Sequence, residues 1–208
     1  MRSDVVIIAR PHRSPRIECS GGLAARRTEA DTVHLVSAAA TPLGGDSIRI
    51  RLVVEPGARL KFRTAAATVV LPGPNTRESH ANWTLEIAGE LDLEPQPTIV
   101  AATSRHYVAT RLEVADGADV RIVERVQIGR SGERQGFWSG SLHADVGGRP
   151  LLRHRIELGD GSITDDEIAA PRACVSELHY PQSTVQTTGM TLALAGGGCL
   201  STWQGDTL

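Results

Sequence analysis

Aromatic side chains are nearly absent from this chain: Trp, Tyr and Phe together make up 3% of 208 residues. A core without them has to be built from Val, Ile, Leu and Ala, and a sugar-binding surface would have few rings to stack on. Lysine is scarcer still. Lys61 is the only one, and every other cation is arginine, whose planar fork suits carboxylates and phosphates. A coding bias produces the same skew. Cys19, Cys174 and Cys199 are odd in number and far apart, with no CxxC pair, which excludes a disulfide framework and a cysteine zinc site. No apolar run approaches the ~20 residues that span a membrane. Between Met1 and Ile17 the apolar stretches are broken by Arg2, Arg10, Arg13 and Arg16, against a signal peptide. A soluble, cytoplasmic protein is expected. The formal charge of −2 lacks the positive field of a general nucleic-acid binder. GxxxxGK[ST], HExxH, GxSxG and a Rossmann glycine fingerprint are all missing, which argues against nucleotide hydrolysis, zincin and serine-hydrolase chemistry.

What is present is a strand pattern. Ile48–Val53, Trp83–Ile87, Val120–Val126 and Leu152–Leu158 alternate aliphatic with polar or charged side chains, as half-buried strands do. The alternation predicts that their Arg and Glu residues face one way and the aliphatics the other. Four segments repeat the order strand, glycine turn, strand: 50–60, 84–91, 110–120 and 142–151. Their turn glycines, Gly57, Gly89, Gly117 and Gly147, stand 32, 28 and 30 residues apart. Read as four hairpins at a near-constant period, they predict an all-β fold of stacked layers, solenoid-like or an extended two-sheet sandwich. One or two short helices are expected, with Thr164–Ala170 as the helical turn that Pro171 closes. A single domain is expected over 1–208. Met190–Ala195 is a last strand candidate, broken by Gly196-Gly197-Gly198, and the tail from about 182 is expected to be loose.

Two loops stand out. Leu43-Gly44-Gly45-Asp46 sets a carboxylate beside a glycine pair, an arrangement that serves a divalent metal, a partner, or a turn in which Asp bonds its own backbone. Ile128–Arg134 packs Arg130, Glu133 and Arg134 among Gly129 and Gly132, either a contact surface or a solvated loop. His106, His143 and His154 lie in or beside strands and can converge. A lone strand histidine is more often a satisfied core or surface residue than a ligand. Paired carboxylates on a stacked-β fold also admit carbohydrate chemistry, the alternative that the scarcity of rings disfavours. A generic β-rich protein-binding module is the other alternative.

Read in order, several segments resemble the UreD/UreH family of urease accessory proteins. They are Val33-His34-Leu35-Val36, Gly44-Gly45-Asp46, Pro56-Gly57-Ala58-Arg59-Leu60, Thr64-Ala65-Ala66-Ala67-Thr68, Leu93-Glu94-Pro95-Gln96-Pro97-Thr98-Ile99 and Glu124–Glu133. The likeness runs from about residue 17 to 158. The chain departs from the family at Ala38–Pro42 and at Val70, and it matches weakly over its last 40 residues. The resemblance implies a non-catalytic scaffold that helps insert nickel into apo-urease together with a UreF-type accessory protein and a UreG-type nickel GTPase. It implies no tightly bound cofactor, only transient nickel(II), and no nucleic-acid or membrane partner. Asp46, Glu124 and Glu133 are then the candidate nickel conduit, and Gly44, Gly45, Arg130 and Arg134 the candidate partner contacts.

Overall fold

The computed structural model describes residues 1–165, 170–184 and 189–208. Its strands, numbered in chain order, form two sheets and no helix among the described residues. The expected helical turn at Thr164–Ala170 has residues 166–169 outside the described residues. The first sheet contains β1 (Arg2–Ala9), β2 (Arg16–Ser20), β5 (Ser47–Val54), β8 (Glu78–Ile87), β11 (Arg105–Val114), β13 (Phe137–Val146) and β14 (Arg149–Gly159), in the order β14-β13-β11-β8-β5-β1-β2. The second contains β3 (Leu23–Arg27), β4 (Thr32–Ser37), β6 (Arg59–Thr64), β9 (Glu90–Leu93), β12 (Asp119–Ile128), β15 (Ala173–Tyr180), β16 (Met190–Ala193) and β17 (Cys199–Gly205), in the order β16-β17-β15-β12-β9-β6-β4-β3. Two short strands, β7 (Thr68–Val70) and β10 (Thr98–Val100), extend this sheet beside β12: β10 pairs with β12, and β7 with β10.

The repeat is real, and three of its four turns are not hairpins. The chain leaves the first sheet at the end of β5, β8 and β11 and enters the second at β6, β9 and β12, so these strands face each other through side chains instead of hydrogen bonds. Each arch stacks on the next in parallel register, as Val54↔Ile87 and Ile87↔Val114 on one side and Leu60↔Leu91 and Leu91↔Val120 on the other. The turn chemistry explains the difference. In Glu55-Pro56-Gly57-Ala58 and Ala115-Asp116-Gly117-Ala118 only the glycine has positive φ, the last N–H bonds the first carbonyl, and the alanine that follows tucks inside the arch. At β13–β14 both Gly147 and Gly148 have positive φ, the turn that matches strand twist, and the strands pair antiparallel.

Stacking turns the aliphatic alternation into ladders. Leu52, Leu85, Leu112 and Ala144 form one buried row across the first sheet, and Phe62, Leu93 and Ile122 one across the second. The rows meet in one large core, with a smaller cluster around Val100, Ile128, Trp138 and Leu158. Each fully buried Leu or Ile contributes about 1.5–3 kcal/mol relative to exposure, which offsets the shortage of aromatics. Within the C-terminal segment, Cys199–Gly205 is packed: β17 pairs with β15 and buries Cys199 and Leu200. No described helix is long and apolar enough to cross a membrane.

Candidate functional site: a cavity open through the second sheet

The second sheet is interrupted where the first is continuous. β9 pairs with β12 up to Leu93↔Ile122, and β10 resumes at Thr98↔Val126, so Val123, Glu124 and Arg125 have no ladder partner on that side. One layer down, the Ala65-Ala66-Ala67 run separates β6 from β7 in the same way. The two breaks make a window. Behind it a cavity of about 320 Å³ runs between the sheets, lined at the window by Thr64–Thr68, Pro95 and Gln96 and inside by Trp83, His106, Trp138, His154 and Ile156. Three-alanine and Pro-Gln-Pro segments suit this place, since short side chains and a missing N–H interrupt a ladder without filling the gap.

Glu124 projects into this cavity. It shares the inward parity of β12 with Val120, Ile122, Val126 and Ile128, while Arg121 and Arg125 face out. That corrects the expectation that the Glu and Arg side chains of this strand share a face. Glu124 makes no hydrogen bond or ion pair among the described residues, and burial alone raises its carboxyl to about 7. Around it are groups that stay neutral. Burial, with the nearby His80, lowers His106 to about 4, and its Nδ1 lies 2.8 Å from Ser79 Oγ. His154 is lowered by burial, and among the described residues neither its Nε2 nor the buried Nε1 of Trp138 has a hydrogen-bond partner. Burial and the charge of Glu124 push the Cys174 thiol up to about 12. Of the three candidate histidines, two face the cavity; His143 is exposed on the outer face of the first sheet. Among the described residues no three of His, Cys, Asp or Glu converge as a metal cage would require.

The other two carboxylates proposed from the sequence are occupied with holding loops. Asp46 is buried and accepts hydrogen bonds from the Met1 amino group at 2.5 Å, Thr41 Oγ1 at 2.8 Å and the Leu43 N–H at 2.9 Å. Burial alone would raise its carboxyl, but these three donors outweigh it and lower it. Glu133 is held at about 2 by the Arg130 guanidinium and by the N–H groups of Ala102 and Arg130. Arg134 is exposed and reaches Asp206 at 3.2 Å. Gly44 and Gly45 sit in the turn that Asp46 fastens, against Gly73 and Thr76.

A network that the sequence did not reveal borders the window on its outer side. Arg121 bonds Asp92 at 3.0 Å, Glu94 at 2.7 Å and Glu177 at 2.9 Å; Arg125 holds Glu94 at 2.5 Å; and Arg63 holds Asp92. The members stand on β6, β9, β12 and β15 and in the segment after β9, so the parallel stacking of β6, β9 and β12 and the antiparallel pairing of β15 with β12 bring them together. Burial opposes ionisation of Glu94, but the hydrogen bonds from Arg121 and Arg125 win and bring it from 4.5 to about 2. Because the folded value lies below the unfolded one, its stabilisation is present above pH 4.5 and disappears as pH falls toward 2. Glu94→Gln is expected to cost about 2 kcal/mol in urea unfolding at pH 7, after allowance for solvent screening, and almost nothing at pH 2.

The chain's likeness to known proteins bears on this architecture. The family model described as UreD urease accessory protein matches residues 13–195, further into the C-terminal segment than the resemblance read from the motifs. "Urease accessory protein UreD 1" of Saccharopolyspora erythraea is 35% identical over 190 residues, covering 87% of this chain and 74% of the relative. "Urease accessory protein UreD" of Frankia alni is 40% identical over 184 residues, covering 76% of this chain and 61% of the relative. The protein of the same name from Streptomyces avermitilis is 38% identical over 154 residues, with 71% and 61% covered. The chain thus spans from 61% to 74% of the length of these three relatives. With the arched, all-β architecture in place and the match running through most of it, the chain belongs to the UreD family of urease accessory proteins.

Proposed function

We propose that this chain serves urease maturation in the cytoplasm as a non-catalytic scaffold, and that nickel(II) on its way to apo-urease passes through the windowed cavity. The observation that carries this reading, beside the family, is a carboxylate, unpaired among the described residues, in a cavity lined mostly by aliphatic, hydroxyl and neutral imidazole side chains that opens through a sheet. A single carboxylate, with no cage of three such ligands around it among the described residues, holds a borderline cation loosely enough to release it. Thiols would hold it harder, and Cys174 stays protonated. Glu124 is the cargo-facing group in this reading. Asp46 and Glu133 act on the route indirectly, by fastening the loops that carry them. The loop bearing Arg130 and Arg134, with the Gly44–Gly45 turn, supplies contacts to apo-urease and to the UreF-type and UreG-type accessory proteins.

The test is a urease operon expressed with and without this chain in the presence of nickel, reading urea hydrolysis and nickel bound per apo-urease. Both are expected to fall together when the chain is omitted. Urease that is fully active and fully metallated without it would refute the reading.

A further inference from the structure

The outer face of the first sheet carries a feature that the cavity does not explain. Three rows cross it in register: His80–Tyr107–Ser139–Glu157, Arg49–Asn82–Ala109–Ser141–Arg155, and Arg51–Thr84–Arg111–His143–Arg153. Short side chains at Ala109, Ser139 and Ser141 leave a depression of about 220 Å³ in the middle of the sheet. Its walls are the stacked rings of His80 and Tyr107, 5.1 Å apart, with Asn82 and Arg155 also lining it. Next to it Arg105 lies 4.0 Å over the ring of Phe137, which in turn contacts Tyr107. In a chain this poor in aromatics, Tyr107 and Phe137 both stand on the outer side of a sheet, beside the His80 ring.

Charge is segregated on the same face. The second and third rows hold five arginines and no carboxylate on β5, β8, β11, β13 and β14, with Asp4 of β1 at the end of the second row. Glu86, Glu113 and Asp145 lie together in the row beyond, and Glu78 and Glu157 on the opposite side. Arg51 is tied to Glu86, Arg153 to Asp145 and Arg155 to Glu157. Arg49 and Arg111 are exposed and make no ion pair among the described residues. A band of cations two rows wide, with two members unpaired and a polar depression between them and Arg155, is complementary to carboxylates presented in a line.

We infer that this face docks an extended acidic segment of a partner protein, which crosses the strands and seats one carboxylate in the depression beside Arg155, Ser141 and Asn82, with others on Arg111 and Arg49. Neighbouring strands stand ~4.8 Å apart, so Arg49 to Arg111 and Arg111 to Arg155, two strands each, are spaced roughly 10 Å. An extended segment covers that distance in about three residues, so the motif that fits carries an acid at every third position. The assignment does not depend on what the inner cavity transports.

The probe is a capped nonapeptide, three repeats of Glu-Pro-Ser, whose prolines prevent it from adding as a strand; the counterpart with Gln for Glu is the control. The native chain is expected to bind the acidic peptide saturably below about 1 mM at low salt, and the Gln peptide much more weakly. Arg49→Glu with Arg111→Glu is expected to weaken binding by about tenfold or more. Ala109→Tyr, which fills the depression from an exposed position, should weaken it as well, and Arg26→Glu on β3 should leave it unchanged. These sites make no buried contact, and circular dichroism verifies that the variants stay folded. No saturable binding, equal binding of the Gln peptide, or variants that bind like the native chain would each overturn the inference. So would a band that takes a duplex oligonucleotide and not the peptide.

Discussion

Gly44→Ala is expected to destabilise the protein by on the order of 4 kcal/mol, whereas Gly45→Ala, one residue on, should cost roughly 1–2 kcal/mol. The two glycines look alike in sequence and do different things. A Cβ on Gly44 would stand 1.9 Å from the Thr76 carbonyl oxygen and 2.5 Å from the Gly73 nitrogen, both backbone atoms. Relief requires moving the 73–76 turn, which is fixed by the Gly73 N–H to Thr76 carbonyl bond, or breaking the bond from the Gly44 N–H to the Leu71 carbonyl. Gly45 has φ of +93°, and its Cβ would meet only the Thr76 methyl at 3.5 Å, so alanine there suffers backbone strain and no collision. At 2–4 °C per kcal/mol for a domain of this size, thermal unfolding should drop by about 10 °C for the first variant and about 4 °C for the second. Equal shifts would mean that close backbone packing is not what this position requires. If Gly44→Ala proves as stable as the native chain but fails to activate urease, the glycine pair is a partner contact first and a structural corner second.

How much of this was legible in the sequence depends on which forces set each feature. Strand positions were legible because alternation reports burial directly: Ile48, Ile50, Leu52 and Val54 are all inward, as the pattern requires. The period near 30 was legible because every arch needs a turn. The misreading of arches as hairpins came from treating all glycine turns alike, although Gly147-Gly148 differs from Pro56-Gly57-Ala58 in a way that a residue-by-residue reading separates. An alanine placed to be buried just past the glycine marks a chain that turns inward. The window and the arginine network were hidden for another reason. Arg63, Asp92 and Arg121 are brought together by parallel stacking of strands about 30 residues apart, and Glu177 by the antiparallel pairing of β15 with β12; no local pattern carries that register. Glu124 was singled out on the family resemblance, but its inward orientation was in the letters. Counting by twos from Val120 puts a carboxylate among Ile122, Val126 and Ile128.

That placement is what makes Glu124→Gln the most informative substitution, because stability and function should move in opposite directions. The carboxyl is raised to about 7 from an ordinary 4.5 by burial alone, with no hydrogen-bond donor among the described residues to offset the cost. A folded value above the unfolded one means that the native state binds the proton more tightly. Both states are protonated below pH 4.5 and there is no penalty; the penalty grows between pH 4.5 and 7 and is complete above that. Glutamine keeps the shape and never ionises. Glu124→Gln should therefore be as stable as the native chain at pH 4 and more stable by on the order of 2 kcal/mol at pH 8, a rise of about 6 °C in thermal unfolding. If Glu124 handles cargo, the same variant should lower nickel per apo-urease roughly tenfold, the scale on which removing a supporting group weakens a metal site. A protein that keeps an unpaired carboxylate at such a cost has traded stability for something else, as functional sites do. Increased stability with unchanged activation would remove the cavity from the nickel route and leave the maturation role to the outer surfaces. Decreased stability at pH 8 would mean that the carboxylate has a structural partner instead, and the cavity would then owe its polarity to packing.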